Sequence, residues 1–153
     1  MIFLLTESVS SLCSDYAMLV AREWCTREHG IENPVCSAAN YLFPHCRVIG
    51  GHLEALQFIE TNYKDFDLKK VKRLPVSGAF HTELMRPASG PLKAILEQLV
   101  MNKPRLPVYS NVTGYRYNSS DDVKRNLCRQ IFKPVKWEQT VHSIYQRYYL
   151  LSK

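Results

Sequence analysis

The chain has 153 residues, of which 46% are hydrophobic and 22% charged, a composition that excludes an intrinsically disordered protein. No apolar run approaches the roughly 20 residues of a transmembrane helix, so we expect no membrane span. The net charge of +6 favours anionic partners. The basic residues are scattered apart from one short cluster at positions 69–73, and no nucleic-acid-binding motif accompanies them, so we expect no nucleic acid partner.

The first half of the chain predicts a strand and a helix, two more strands, a second helix and a final strand. Met1–Thr6 is a short apolar strand, and a helix over Ser8–His29 ends before Gly30. This order, βαββαβ, is that of a ferredoxin-like unit. The helix over Ser8–His29 is expected to bury one apolar face, made up of Leu12, Tyr16, Leu19, Val20 and Trp24. The later elements are strands at Pro34–Asn40 and Cys46–Ile49, a turn at Gly50 and Gly51, a helix at His52–Tyr63 and a strand at Leu68–Val76.

The second half predicts mainly helices. The segment Pro87–Met101 has apolar residues at helical spacing, and two more helices are predicted, one from Ser120 and one near Trp137. Pro107–Val112 is predicted as the one strand of this half. A strand between helices cannot satisfy its own edges, so this strand needs a partner that the chain does not obviously supply.

One histidine stands out as a candidate for proton transfer. His81 follows Gly78 and Ala79 at a predicted strand-to-helix junction, where a side chain is held rigidly and can still reach a cleft. From the residues alone, a general base and an ordinary polar residue near a turn both remain open. No G-x-S-x-G nucleophile motif, P-loop or G-x-G-x-x-G fingerprint occurs in the sequence.

The cysteines and remaining histidines do not suggest a metal site. Five cysteines at irregular spacing, without a C-x-x-C pair, are typical of reduced thiols rather than of a disulfide framework or a structural zinc site. His45, Cys46 and His52 are close in sequence, but no ligand motif supports them. We therefore expect no metal.

Five separate sequence blocks carry a family resemblance. In chain order they are Asn40–Pro44, Arg47–His52, Leu74–Met85, Pro107–Val112 and Pro134–Thr140. Together they closely resemble the malonyl-CoA:acyl carrier protein transacylases over roughly residues 24 to 147. The sequence is nearest to the mitochondrial type. The chain resembles the C-terminal portion of these enzymes.

The resemblance implies a fold and a reaction. The fold would be α/β, with a ferredoxin-like βαββαβ subdomain at residues 1–76 and the C-terminal part of an α/β-hydrolase-like acyltransferase core at residues 77–153. The reaction would pass a malonyl group from malonyl-CoA through a seryl acyl-enzyme to the phosphopantetheine thiol of acyl carrier protein, in fatty acid biosynthesis. Coenzyme A is then part of a substrate, and no resident cofactor is expected.

The resemblance also implies roles for three residues. His81 matches the catalytic histidine, Phe80 directly precedes it in the malonyl-type Ala-Phe-His motif, and Asn40 lies in a stretch that faces the substrate cleft. Asn111 and the turn Lys133–Val135 match blocks of structural character. The G-H-S-x-G serine motif, the malonyl-binding arginine, the oxyanion glutamine and the G-P-G segment that helps orient the histidine are absent from this sequence.

A ferredoxin-like interaction module unrelated to the enzyme is a third class of function, which the five ordered blocks disfavour, and the departures leave two others open. One is the transferase, with its serine outside this chain. The other is a non-catalytic, truncated product of the same gene that at most binds acyl carrier protein. The chain alone is expected to be inactive and monomeric. A mitochondrial location is implied by the resemblance, although the sequence contains no presequence-like segment.

Overall fold

The computed structural model describes residues 2–7 and 12–151. Its first half contains strands β1 (Ile2–Glu7), β2 (Cys36–Phe43), β3 (Cys46–Gly51) and β4 (Leu68–Arg73). Helix α1 (Leu12–His29) joins β1 to β2, and helix α2 (Leu53–Asn62) joins β3 to β4. The predicted βαββαβ order is therefore confirmed. The predicted helix start at Ser8 and the first residue of the predicted strand, Met1, lie outside the described residues.

The four strands form one antiparallel sheet in the order β2-β3-β1-β4. β1 is central and pairs with β3 on one side and with β4 on the other. The two helical connections each step over one strand, which is the arrangement of a ferredoxin-like unit. β4 ends at Arg73 rather than at Val76, so the chain leaves the sheet earlier than predicted.

Helices α1 and α2 cover one face of the sheet and enclose the main core. Phe3, Leu5 and Ile49 project from the strands into this core, and Leu56 and Ile59 reach it from α2. The face of α1 that packs against them includes Trp24 of the predicted apolar face, which is partly buried, but Leu12, Tyr16 and Leu19 are exposed and other residues of α1 are buried instead. Those buried residues are Ser14, Ala17, Met18, Ala21 and Cys25.

The two glycines at the end of β3 lie within the strand and do not form the predicted turn. Gly50 pairs with Ser37 and Gly51 with Cys36 in the ladder to β2. A Cβ on Gly51 would overlap the Val35 carbonyl oxygen and lie 2.8 Å from the Cys36 Cα. The need for glycine at this position is therefore a close approach between two strands rather than a turn conformation.

The second half is helical. A 3₁₀ helix (Glu83–Ala88) runs into α3 (Ser89–Gln98), followed after a long connection by α4 (Ser120–Gln130) and α5 (Trp137–Leu151). The predicted strand at Pro107–Val112 is wrong: the segment makes only an isolated bridge between Tyr109 and Arg116. Backbone N–H and C=O groups form a ladder only when a second strand lies alongside, and the described residues place none there.

The two halves meet along β2. The segment that follows α4 runs parallel to β2, where Asn40 and Val135 form a bridge. Tyr41 donates its N–H to the Val135 carbonyl, and Val135 donates its own to the Ala39 carbonyl, both at 2.9 Å. Helix α5 then packs against β2. None of the helices within the described ranges is long and apolar enough to cross a membrane.

Candidate active site

His81 lies in a turn between the end of β4 and the 3₁₀ helix, rather than directly at a strand-to-helix junction. Its φ of 64° is in the left-handed region, which side-chain-bearing residues adopt rarely. The backbone N–H of His81 donates to the Ile131 carbonyl at 2.8 Å. The next residue, Thr82, is buried and donates its hydroxyl to the Ala79 carbonyl at 2.6 Å. The strained turn is therefore held by bonds on both sides.

The imidazole of His81 is oriented by the C-terminal end of α4. Its Nδ1 lies 2.7 Å from the Gln130 carbonyl oxygen. A carbonyl oxygen can only accept, so Nδ1 carries the hydrogen and Nε2 of the neutral ring keeps its lone pair. Within residues 2–7 and 12–151, no hydrogen bond occupies Nε2. A histidine in this tautomer can take a proton from a hydroxyl or thiol that comes within hydrogen-bond distance of Nε2.

Phe80 and His81 share a cavity of about 310 Å³ with the helices of the second half. The Phe80 ring is 39% exposed and lies over Gly78, where an added Cβ would come within 3.4 Å of its Cε2. Gly78 thus leaves room for the ring beside the histidine. The other residues around the cavity are mainly apolar: Leu92, Leu96, Leu127, Gln130 and Ile131.

Asn40 lies on β2, at the junction between the two halves. Its backbone pairs with Val48 on one side and bridges to Val135 on the other. Its side-chain Oδ1 is buried and accepts no hydrogen bond from the described residues. A buried acceptor without a partner costs free energy, so this amide is not explained by the stability of the fold alone.

A single short segment connects the candidate residues. Gln130 and Ile131 bind the ring and the backbone of His81, and four residues later Val135 forms the bridge to Asn40. Lys136 continues the segment by donating its N–H to the Asn111 carbonyl at 2.8 Å. Residues 130–136, which we name the 130–136 connection, thus hold both candidates. The sequence predicts a structural role for Lys133–Val135 but does not point to Gln130, because a backbone carbonyl group is the same in every residue and leaves no sequence signature.

The described residues offer no metal cluster beside His81, and two of the buried thiols are poor nucleophiles. No cluster of three potential metal ligands occurs among the described residues. Burial raises the pKa of Cys36 to about 12, with Arg22 opposing the shift, and burial also raises the pKa of Cys25. Both thiols remain protonated near neutral pH and are unsuited to act as nucleophiles.

Comparisons with known proteins connect this geometry to one family. No family model matches the chain. The chain is 52% identical over 132 residues to the mitochondrial malonyl-CoA-acyl carrier protein transacylase of Mus musculus, covering 86% of this chain and 34% of the mouse protein. It is 34% identical over 114 residues to the malonyl CoA-acyl carrier protein transacylase of Escherichia coli K12, covering 74% of this chain and 37% of that protein. The chain thus spans about a third of the length of these curated relatives.

Solved structures agree in fold. An acyl carrier protein S-malonyltransferase from Vibrio cholerae superposes with a TM-score of 0.82 at 26% identity, covering 95% of this chain and 45% of that one. A malonyl-transacylase in complex with a type II polyketide synthase acyl-carrier protein gives a TM-score of 0.81 at 27% identity, covering 95% and 44%. These neighbours confirm the predicted fold class, a ferredoxin-like subdomain with part of an α/β-hydrolase-like core. In sequence and in fold, the chain corresponds to a part of the malonyl-CoA-acyl carrier protein transacylases.

Proposed function

We propose that this chain supplies the general base, and one wall of the acyl pocket, for transfer of a malonyl group from malonyl-CoA to the phosphopantetheine thiol of acyl carrier protein. The observation that carries the proposal is the geometry of His81: its Nδ1 is held by the Gln130 carbonyl, and no hydrogen bond from the described part of the chain occupies Nε2. The serine nucleophile lies outside these 153 residues, since the sequence holds no G-H-S-x-G motif.

The proposed reaction has two half-steps through His81. In the first, Nε2 takes the serine proton as the serine oxygen bonds to the malonyl carbonyl carbon, and the carbon–sulfur bond of the thioester breaks. The departing coenzyme A sulfur receives the proton from His81. In the second, Nε2 takes the proton of the carrier thiol as its sulfur bonds to the acyl carbon. The carbon–oxygen bond of the acyl-serine breaks, and the serine oxygen receives the proton from His81. No resident cofactor is needed.

Asn40 is proposed to bind substrate. Because its buried Oδ1 has no partner among the described residues, Asn40→Ala would remove no hydrogen bond to that atom. A purely structural role therefore predicts little change in the kinetics. A role in substrate binding predicts a higher KM for malonyl-CoA with kcat nearly unchanged.

The partners follow from the same reasoning. Malonyl-CoA and acyl carrier protein are the proposed substrates, because the relatives bear those names and one structural neighbour was solved with an acyl-carrier protein. A mitochondrial location is proposed from the mouse relative. A monomeric state without a nucleic acid partner stays a prediction.

A chimera tests the proposal. Residues 1–153 would replace the matching third of the mouse relative, and malonylation of acyl carrier protein would be followed by mass spectrometry. We expect transfer by the chimera and a loss of about 10³-fold or more on His81→Ala, because nucleophile and base act as a unit. The 153-residue chain alone should give only background transfer. A chimera that folds but transfers nothing would contradict the proposed function.

The same experiment separates the second candidate, a non-catalytic product that binds acyl carrier protein. The missing serine motif is the observation that favours it. Binding of acyl carrier protein by the 153-residue chain, combined with an inactive chimera, would select this alternative. Transfer by the chain alone that His81→Ala abolishes would exclude it.

A further inference from the structure

Four residues form a charged cluster beside His81. Glu83 lies two residues after the histidine and accepts bonds from two cations: Arg86 Nε at 2.6 Å and Lys133 Nζ at 2.9 Å. Both cations also lie over the ring of Phe132, with the Arg86 Cζ 4.2 Å and the Lys133 Nζ 5.4 Å from the ring centroid. We name this cluster of Glu83, Arg86, Phe132 and Lys133 the Glu83 clamp.

The clamp joins the same two segments that the His81 bonds join. Glu83 and Arg86 belong to the 3₁₀ helix that begins just after His81, and Phe132 and Lys133 follow the carbonyls of Gln130 and Ile131. The Lys133–Glu83 pair therefore closes a ring of contacts around the bond between His81 Nδ1 and the Gln130 carbonyl. A movement of one segment against the other therefore acts on both contacts.

The free energies of the ion pairs decide whether the Glu83 clamp can hold the two segments together. An isolated exposed ion pair contributes only about 0.2–1 kcal/mol, and all three charged side chains here are partly exposed. The clamp is more than one pair, because a single carboxylate binds two cations and both lie over a buried ring. Arg86 and Lys133 also lower the pKa of Glu83 from its ordinary value, so the carboxylate is charged near neutral pH.

We propose that the Glu83 clamp is a positioning device, which fixes the Nδ1–H tautomer of His81 by holding the Gln130 carbonyl against the ring. The catalytic role given to this tautomer rests on the proposed function. The tautomer itself is a property of the chain in the absence of substrate. Loss of the clamp lets the end of α4 move away, and the ring hydrogen then shifts toward Nε2, the atom that must stay unprotonated to act as a base.

Nitrogen NMR of the 153-residue chain tests the proposal. The ring ¹⁵N shifts of His81, assigned by comparison with His81→Asn, report the ratio of the two neutral tautomers. We expect Nδ1–H to dominate in the unchanged chain. Glu83→Gln keeps the shape of the side chain and removes its charge. It should lower the ratio of Nδ1–H to Nε2–H about two- to fivefold, which corresponds to the free energy of one or two exposed ion pairs. Lys133→Met should act in the same direction from the other segment.

Glu28→Gln is the matched control. It removes an ion pair of the same length, 2.6 Å, between Arg27 and a similarly exposed carboxylate on α1. The control should leave the His81 ratio unchanged. An unchanged ratio in both Glu83→Gln and Lys133→Met overturns the proposal, as does an equal shift in Glu28→Gln or a dominant Nε2–H form in the unchanged chain. Because no turnover is measured, an inactive chimera would not affect the result.

Discussion

At the scale of single residues, His81 combines a strained backbone with a fixed ring. A side-chain-bearing residue held in an unfavourable backbone region costs about 1–3 kcal/mol and persists only where its surroundings hold it. The bonds to Ile131 and Gln130 supply that restraint. Such strain is concentrated at functional positions, and here the strained residue lines the cavity beside Phe80.

Phe80 carries a prediction about acyl selectivity. Its ring lies next to His81, where an α-methyl group on the substrate would need space, and overfilling a packed wall costs about 1–3 kcal/mol. In the active chimera we expect a preference for malonyl-CoA over methylmalonyl-CoA of about 5- to 150-fold in kcat/KM. Phe80→Ser should reduce it. Competition between the two esters measures the ratio, and an unchanged ratio would mean that Phe80 only supports the turn.

Cys36 gives a second prediction at this scale. Raising a thiol pKa from 9.0 to about 12 lowers the thiolate fraction near pH 8 about a thousandfold, since each pKa unit is a factor of ten. We expect iodoacetamide to alkylate the partly exposed Cys13 and Cys128 in the native chain while sparing Cys36. Peptide mass spectrometry measures the order, and alkylation of Cys36 at a rate like that of Cys128 would argue against a tightly closed core.

At the scale of elements, the sequence predicts the order of the first half correctly and the packing of its first helix only in part. The helix packs through Ala17, Ala21 and Cys25, because small side chains let it approach the sheet closely. A pattern that follows large apolar residues selects Leu12 and Tyr16 instead, and both are exposed. Element type follows from local periodicity, whereas the buried face depends on the shape of a surface that is distant in sequence.

Gly51 allows a direct test of strand packing. Gly51→Ala places a Cβ against the Val35 carbonyl oxygen, the same oxygen that accepts the His52 N–H, so strands and bond must shift. We expect a loss of about 1–3 kcal/mol in the free energy of unfolding, measured by urea denaturation. Gly90→Ala is the control: nothing lies within 4 Å of its added Cβ in α3, so it should be neutral or stabilising by up to about 1 kcal/mol. Equal changes in the free energy of unfolding for Gly51→Ala and Gly90→Ala would contradict the close approach of the strands as the reason for glycine at position 51.

At the scale of the whole molecule, the halves differ in how well they bury their apolar residues. The first half packs two helices on a sheet, whereas Leu96 is the one buried residue of α3. Val100 is 93% exposed, and Leu106 and Val108 are also exposed in the connection that follows. Few buried contacts and few internal hydrogen bonds lower the free energy of local opening.

Trypsin should therefore cut first after Arg105. This bond lies in the connection between α3 and α4, while the neighbouring Lys103 precedes a proline and resists cleavage. Limited digestion followed by mass spectrometry should give early fragments that end at Arg105, with the sheet surviving longer. Earlier cuts at Arg47 or Lys64, inside the first half, would contradict the expected order of stability.

The candidate site was predictable only in part. His81 stands out as a candidate from its place after Gly78 and Ala79, and the resemblance adds Phe80 and Asn40 as candidates. The 130–136 connection that holds His81 and Asn40 could not be predicted, because Gln130 acts through a backbone carbonyl 49 residues from His81. The Lys133–Glu83 pair spans 50 residues and likewise depends on the fold rather than on any local pattern.

The 130–136 connection has a consequence for the motion of the molecule. One end binds His81 and the other is hydrogen-bonded to β2, so a rotation of the sheet relative to the helices pulls on the carbonyl that aims the imidazole. The position of the sheet and the direction of the His81 ring are therefore mechanically coupled. In the proposed transfer, the base would therefore be aligned in one relative orientation of the sheet and the helices.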